Sequence, residues 1–422
     1  MRFSLDVLRA RKGDCFMVHY GSEDDPHLIL IDGGPSGVYK PQLEPRLAKV
    51  HKALELQEEN PLPVDVVMVS HVDDDHIAGI LELTKDQRAG PKLRLKVGSL
   101  WHNGIDALLG TELGMLKAEA GFGAAAMNGT IDVGEHDEFD VAKVLASIPQ
   151  GKQLQDDAKA LDWKPNRAFG GKLILADGMS GPVSLKGGLK VTVVGPMQAE
   201  LLALRKIHAE WLHKQHAQQE AGSQAVPAAF TDTAIPNLSS IVVLAELDGK
   251  RMLLTGDARG DKIMKGLELV GLLQPGGSMH VDLLKVPHHG SARNMRVDFF
   301  ERVTAEHYVF SGDGKNGNPD RETVEMLLEA RPEASFTIHL TYHPNEIDPE
   351  RKKDWEKQQA REKAKQTTEH KTDVRQDWSH EGNSLEALLP SKLSTRQTLS
   401  VVVADKPHLI DLLAPTDLSP VR

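Results

Sequence analysis

The sequence predicts an α/β fold in which two β-sheets are covered by helices. Three short apolar runs each end in a turn that carries acidic, histidine or glycine residues: Leu28–Gly34, Met252–Ala258 and Val281–Ser291. Apolar runs of this length, bounded by turn residues, are typical of buried strands. Helical patterns lie between the predicted strands. Because strands and helices alternate along the chain, we expect layers of helices packed on sheets.

The segment Val66–His76 carries the strongest functional signal, because a buried-strand pattern leads directly into metal-binding side chains. His71, Asp73, Asp75 and His76 stand within six residues of one another. If they were buried without partners, this cluster would be costly, since uncompensated charge is disfavoured at low dielectric. A bound divalent cation would remove that cost. A helical pattern follows at once, which predicts a site at a strand-to-helix turn.

The order HxDxDH resembles the HxHxDH signature of metallo-β-lactamase-fold hydrolases, with Asp73 where that family usually has its second histidine. The order of the motifs over roughly residues 1–345 is similar to the metallo-β-lactamase-like domain of the ComEC DNA-uptake family. The motifs that carry this resemblance are Leu5–Val7 with Lys12–Cys15, Leu28–Gly34, Ser70–His76, Asn237–Val243, Met252–Asp257 and Lys285–Ser291. The resemblance implies a four-layer αβ/βα metallo-β-lactamase sandwich with helical insertions.

The resemblance also implies two divalent metal ions and a set of ligands for them. The implied ligands are His71 and Asp73 at the first metal, Asp75 and His76 at the second, Asp257 as a bridge, and His288 to complete the second site. The implied catalytic residues are Asp75, which would orient the nucleophile, and His289, which would help the leaving group. Which histidine of the 288–289 pair is the ligand stays open.

Two departures from the family pattern concern the first metal. An oxygen ligand at Asp73 shifts the preference from Zn²⁺ toward Mn²⁺ or Mg²⁺, so all three ions are candidates. The strand Val191–Val194 ends in Gly195 and Pro196, where many family members supply a further histidine. His102 is an alternative ligand, although a surface or supporting histidine is the simpler interpretation.

The resemblance implies a metal-dependent hydrolase, and most directly a phosphodiesterase or nuclease that cleaves DNA or RNA through a metal-bound hydroxide. Two alternatives stay open: a small-molecule hydrolase, such as a cyclic-nucleotide phosphodiesterase or a lactonase, and a metal-stabilised non-enzymatic protein that binds a partner. The net charge of −11 is unusual for a nucleic-acid enzyme. A local basic strip could still exist, and the candidates for it are Lys285, Arg293, Arg296 and Lys315.

The chain is expected to contain one elaborated hydrolase domain, at 1–345, with insertions at about 105–170 and 199–236. The segment 346–380 is dense in charged residues and lacks apolar periodicity, which is typical of an exposed helix or a disordered segment. Its central part, 348–376, is a candidate surface for a protein partner. A late strand near Leu399–Val403 is expected to pack on the core from a C-terminal segment at 381–422.

The composition is typical of a globular enzyme of the cytoplasm. Hydrophobic residues make up 40% of the 422 residues, and no apolar run approaches the roughly 18 residues of a membrane span. The first residues lack the pattern of an export signal. Cys15 is the single cysteine, which excludes an internal disulfide and favours a reducing compartment. We therefore expect a cytoplasmic protein without a membrane partner.

Overall fold

Two β-sheets packed face to face form the centre of the protein. The structure, a computed structural model, describes residues 1–104, 149–202, 239–369 and 374–413. The first sheet has six strands: β1 (Arg2–Val7), β2 (Phe16–Gly21), β3 (Pro26–Ile31), β4 (Leu62–Met68), β5 (Leu95–Trp101) and β14 (Leu409–Asp411). Their order across the sheet is β14-β1-β2-β3-β4-β5, and β3, β4 and β5 run parallel to one another.

The second sheet has eight strands. They are β6 (Val183–Ser184), β7 (Lys190–Gly195), β8 (Val242–Leu247), β9 (Lys250–Leu254), β10 (Met279–Lys285), β11 (Val303–Phe310), β12 (Phe336–Leu340) and β13 (Gln397–Val401). The order is β13-β12-β11-β10-β9-β8-β7-β6, with parallel pairing from β9 to β13. The apolar runs singled out in the sequence are therefore β3, β4, β9 and β10, as predicted.

Helices cover the outer face of each sheet. The first sheet carries α1 (Glu44–Ala53) and α2 (Asp74–Ala89), and the second carries α3 (Gly260–Leu269), α4 (Val297–Arg302), α5 (Arg321–Ala330) and α8 (Leu385–Lys392). Apolar side chains such as Leu5 and Val243 fill the space between the sheets. One apolar layer lies between the helices and the first sheet, one between the two sheets, and one between the second sheet and its helices. The predicted αβ/βα fold is confirmed.

The charged segment contains a long helix, α6 (Pro344–Glu369), followed by the short helix α7 (His380–Asn383). The first turns of α6 are packed against the domain. Asp348 and Arg351 are buried there, and the Asp348 carboxylate accepts hydrogen bonds from the backbone N–H groups of Leu385 and Glu386 at the start of α8. The segment follows β12 in the chain, and the first turns of α6 contact the start of α8.

The two predicted insertions fall largely outside the described residues, at 105–148 and 203–236. The described end of the first one is helical over 149–160. Leu154, Ala158 and Trp163 are buried in the apolar layer outside the first sheet, so this end belongs to the helical cover of that sheet. In the part of the chain that the structure describes, no helix has the length and apolar character needed to cross a bilayer.

A close approach of two glycines fixes α2 against the end of β3. The N–H of Gly33 donates to the carbonyl of His76 at 2.8 Å, and the N–H of Gly79 donates to the carbonyl of Gly34 at 2.9 Å. A Cβ atom on Gly79 would lie 1.9 Å from the Gly33 carbonyl oxygen. Because any side chain at this position would separate the two elements, glycine is required here.

Three histidines form a hydrogen-bonded series that links β11 and β12 of the second sheet to the residue before β14 of the first sheet. His307 Nδ1 lies 3.0 Å from His339 Nε2, and His339 Nδ1 lies 2.9 Å from His408 Nε2. Burial, followed by the proximity of the other two rings, lowers the pKa of His339 well below its usual value. Burial also lowers the pKa of His307 and of His408. The three rings are therefore neutral at pH 7.

We predict that Gly79→Ala lowers the free energy of unfolding by about 1–3 kcal/mol, because the added methyl group must push α2 away from the turn after β3. Urea denaturation measures this change. Gly181→Ala is the matched control, because a Cβ atom there meets nothing within 4 Å. Equal urea midpoints for Gly79→Ala and wild type would show that the close approach does not constrain the fold.

We predict that the free energy of unfolding falls as the pH drops below about 6.5. The pKa of His339 is lowered in the folded protein, so below this pH the unfolded chain binds a proton that the folded protein does not. Each such histidine contributes a slope of up to about 1.4 kcal/mol per pH unit. His339→Gln should reduce the slope measured between pH 7.5 and 5.5, whereas the exposed-site variant His280→Gln should not. An unchanged slope in His339→Gln would contradict the assignment.

Candidate metal centre

Polar side chains from both sheets meet where the parallel strands end. They come from the β1–β2 loop (Asp14), the ends of β3 (Asp32), β4 (His71) and β9 (Asp257), the first turn of α2 (His76), and the turn after β10 (His288 and His289). The carboxyl ends of neighbouring parallel strands lie at one edge of a sheet, which explains why distant sequence motifs converge here.

The Asp257 carboxylate lies at the centre of four imidazole rings. Its Oδ2 atom is 3.3 Å from His289 Nε2, 3.6 Å from His288 Nε2 and 3.8 Å from His71 Nε2. Its Oδ1 atom is 3.4 Å from His76 Nε2. Each of the four rings therefore presents the same nitrogen to one carboxylate.

The other nitrogen of each ring faces an oxygen atom. The Nδ1 contacts are His71 to Ser70 Oγ at 3.1 Å, His76 to Asp32 Oδ2 at 2.9 Å, His288 to Asn294 Oδ1 at 3.0 Å, and His289 to Asp14 Oδ1 at 3.1 Å. Metal-binding histidines are usually held in this way, because a partner on one nitrogen fixes the ring and leaves the other for the metal.

Several atoms of this centre are buried without a hydrogen-bond partner among the described residues: His71 Nε2, His76 Nε2, His289 Nε2 and Asp257 Oδ1. Buried polar atoms are rarely left unsatisfied in native proteins. Imidazole nitrogens and a carboxylate are also the donors that Zn²⁺ and similar ions prefer. The unsatisfied atoms and their donor chemistry both fit a divalent cation beside Asp257.

One subset of four residues is especially tight. Asp14, His76, Asp257 and His289 each offer an atom that could bind a metal, and these atoms all lie within 4.8 Å of one another. Lys285 lies against the same group, since its Nζ atom is 2.5 Å from Asp14 Oδ2 and 3.7 Å from Asp257 Oδ1. The centre therefore contains a buried lysine beside its carboxylates.

The histidine turn has an unusual backbone. His288 has a φ of 47° and His289 a φ of 53°, both in the left-handed region that favours glycine. Such backbone conformations cost about 1–3 kcal/mol each and cluster at functional sites. The strained backbone of this turn directs the His288 and His289 rings toward Asp257.

The carboxylates and the histidines of the centre shift one another's pKa values. Burial alone would lower the pKa of His289, but the carboxylates of Asp257 and Asp14 raise it to about 9. Asp257, followed by Asp32, likewise raises the pKa of His76 against the effect of burial. Burial lowers the pKa of His71 to about 3. The carboxylates therefore favour a proton on His76 and on His289.

The structure brings five of the residues predicted from the sequence together: His71, His76, Asp257, His288 and His289. Asp73 lies at the edge of this set, with Oδ2 3.8 Å from His71 Nε2. Asp75 stands in the first turn of α2, and its carboxylate interacts electrostatically with His76, His289 and Asp257. The ligand roles of Asp73 and Asp75 stay predictions. His102 is buried after β5, with its backbone bound to the side chain of Asn166.

Sequence reasoning missed two carboxylates of the centre, Asp14 and Asp32. Both were visible, since Asp32 ends a predicted strand and Asp14 belongs to a motif of the family resemblance, but neither was assigned a role. The proposed basic strip is wrong for Lys285. The side chain is 1% exposed and paired with Asp14, so Lys285 belongs to the interior of the centre and not to a solvated strip.

Comparison with known proteins gives local likenesses. The chain is 37% identical over 84 residues to human microtubule-associated protein 1A, which covers 20% of this chain and 3% of that protein. It is 33% identical over 137 residues to the mouse protein, covering 31% of this chain and 5% of that one. The Drosophila melanogaster microtubule-associated protein futsch is 44% identical over 69 residues, or 15% of this chain and 1% of futsch. The chain thus spans a small part of these relatives.

A solved structure of a proposed metal-dependent hydrolase from Parabacteroides distasonis is also similar, with 9% identity and a TM-score of 0.31 over 80% of this chain and 98% of that one. The likeness at this TM-score bears on neither fold nor activity. The sequence model of the metallo-beta-lactamase superfamily matches residues 9–150. This match covers the HxDxDH turn, and the four-layer architecture accords with it. Residues 9–150, about a third of the chain, are therefore similar to the metallo-β-lactamase superfamily.

Proposed function

We propose that the protein is a metal-dependent hydrolase that cleaves phosphodiesters. The observation that carries this proposal is the convergence of four Nε2 atoms on the Asp257 carboxylate, with three of the four lacking a hydrogen-bond partner among the described residues. The superfamily match at residues 9–150 supports the same chemistry. Zn²⁺, Mn²⁺ and Mg²⁺ are the candidate ions.

The residues that would hold the cation are Asp257 and the histidines around it. When bound, a divalent ion supplies Lewis acidity and lowers the pKa of coordinated water toward neutrality. The chain itself supplies the orientation of the ligands. Asp32 accepts from His76 Nδ1, and Ser70 donates to the same carboxylate from its hydroxyl at 2.7 Å and from its N–H at 2.8 Å. His76 is therefore held in place before any ion arrives.

Basic side chains near the centre support a phosphodiester as the substrate. Lys12 precedes Gly13 and Asp14, and its charge helps to lower the pKa of Asp75 against the effect of burial. Arg293 is exposed and follows the histidine turn by four residues. A local positive potential can attract a phosphate even on a protein whose net charge is −11. We propose DNA or RNA as the substrate class, in keeping with the resemblance of the motifs to ComEC.

We predict that Asp257→Asn lowers the content of bound metal, because Asp257 is the carboxylate that all four histidines face. Elemental analysis after dialysis against each candidate ion measures the stoichiometry. Asp282→Asn is the matched control, because Asp282 is a buried aspartate of β10 that binds Lys250 and lies outside the four-residue cluster. If Asp257→Asn keeps the metal content of wild type, the proposed centre is wrong.

We predict that wild type hydrolyses bis(p-nitrophenyl) phosphate and a nucleic acid in the presence of Mn²⁺, Mg²⁺ or Zn²⁺, and that Asp257→Asn does not. Single-stranded DNA, duplex DNA and RNA are assayed separately, beside a lactone and a cyclic nucleotide. Cleavage of the cyclic nucleotide or of the lactone alone would favour the small-molecule alternative. Metal binding without turnover of any substrate would favour the non-enzymatic alternative.

A further inference from the structure

We infer that Asp14 is a positioning residue: it orients His289 so that His289 binds the metal through Nε2. Lys285 and Ser311 contact the two oxygens of the Asp14 carboxylate, so Asp14 itself does not bind the metal. This inference rests on the proposed metal centre and deepens it. It also changes the role that the sequence suggested for His289, which was help to the leaving group by a histidine free of the metal.

The first step concerns the oxygen atoms of Asp14. Its Oδ1 atom accepts from the Ser311 hydroxyl and lies 3.1 Å from His289 Nδ1. Its Oδ2 atom lies 2.5 Å from Lys285 Nζ. Both oxygens thus have close partners, whereas Asp257 Oδ1 has no hydrogen-bond partner among the described residues. Of the two carboxylates in the tight cluster, Asp257 is the one available to a cation.

The second step concerns Lys285. Its side chain is 1% exposed, and its Nζ atom also donates to the Gly256 carbonyl at 2.9 Å. A buried ammonium group is costly unless it is paired and hydrogen-bonded, and here Asp14 supplies the pairing charge. The ammonium group repels a cation near Asp14 Oδ2, 2.5 Å away, more strongly than a cation near Asp257 Oδ1, 3.7 Å away. Lys285 therefore holds the Asp14 carboxylate in the interior as a fixed acceptor.

The third step concerns His289. His289 Nδ1 lies 3.0 Å from Ser311 Oγ and 3.1 Å from Asp14 Oδ1. The Ser311 hydroxyl donates its proton to Asp14, and a carboxylate can only accept, so both neighbours require a proton on His289 Nδ1. The neutral ring must then carry its lone pair on Nε2, the atom that lies 3.3 Å from Asp257 Oδ2. His289 is 3% exposed and its ring is enclosed by these contacts. Asp14, directly and through the Ser311 hydroxyl that it orients, thus fixes both the ring orientation and the tautomer that a metal ligand needs.

The competing interpretation is that Asp14 is itself a ligand, since its carboxylate lies within the 4.8 Å cluster. A double-mutant cycle separates the two interpretations. If Asp14 acts through His289, Asp14→Asn has no further effect once His289 is alanine. If Asp14 binds the metal directly, Asp14→Asn weakens binding in both backgrounds.

The experiment measures the affinity for zinc chloride by chelator competition in full-length wild type, Asp14→Asn, His289→Ala and the double variant. We expect Asp14→Asn to lower the affinity about 10–100-fold, the usual effect of removing a group that orients a ligand. We expect the double variant to match His289→Ala within about twofold. The long-range ¹H–¹⁵N spectrum of zinc-loaded wild type should show His289 protonated at Nδ1 and bound through Nε2.

Asp14→Asn leaves Lys285 without its partner and could unfold the protein. The variant Asp14→Leu with Lys285→Met removes both charges, a replacement that buried ion pairs often tolerate. We expect it to give the same loss of affinity and the same non-additivity with His289→Ala. The control replaces Asp348 and Arg351, a buried pair joined at 3.0 Å on α6, by Asn and Met. It should leave the zinc affinity within about twofold of wild type.

Three results would overturn the inference. They are a wild-type affinity in both Asp14 variants, a further loss of about tenfold or more when Asp14→Asn is added to His289→Ala, and a His289 ring protonated at Nε2 in the zinc-loaded protein. Failure of the proposed function is distinguishable, because these readouts do not use turnover. Zinc binding without hydrolysis contradicts the hydrolase proposal alone, whereas absence of zinc binding in wild type overturns both.

Discussion

The contact between one buried carboxylate and four imidazole rings is the constraint on which the rest of the structure depends. Asp257 follows a strand of the second sheet, whereas His71 and His76 belong to the first sheet and its helix. Their nitrogens can face Asp257 only if the two sheets are packed with their strand ends in line. The apolar layer between the sheets and the glycine contact that seats α2 therefore serve the same geometry. A shift of the helix by the width of a methyl group would displace His76.

The supports of the ligands are distributed over both sheets. Asp32 at the end of β3 holds His76, while Asp14 in the β1–β2 loop holds His289 across the gap between the sheets. The hydroxyl of Ser240, two residues before β8, accepts from the Asp257 N–H at 3.2 Å. Residues that look like turn formers in the sequence thus orient the ligands. This arrangement explains why the motifs are spaced over most of the described chain while the centre is small.

Much of the fold could be predicted from the sequence, because its signals are local. The runs before Asp32, His71, Asp257 and His288 are apolar and short, and each is a strand in the structure. The centre was harder to predict because its supports are not local. The sequence shows Lys285 as a cation near a motif, but its burial depends on Asp14, about 270 positions away along the chain. No periodic pattern in the sequence indicates such a pairing, so the sequence favours a solvent-exposed side chain for Lys285.

The charge balance of the centre links cation binding to protonation. Asp14, Asp32 and Asp257 are all buried, and Lys285 is the buried ammonium group among them. The neighbouring carboxylates raise the pKa of His76 and of His289, so they favour protons on these two rings. These protons and a divalent ion compete for the same nitrogens, because a ligand histidine must be deprotonated at the atom that binds. The carboxylates that raise the pKa of these rings would therefore also attract the cation that displaces their protons.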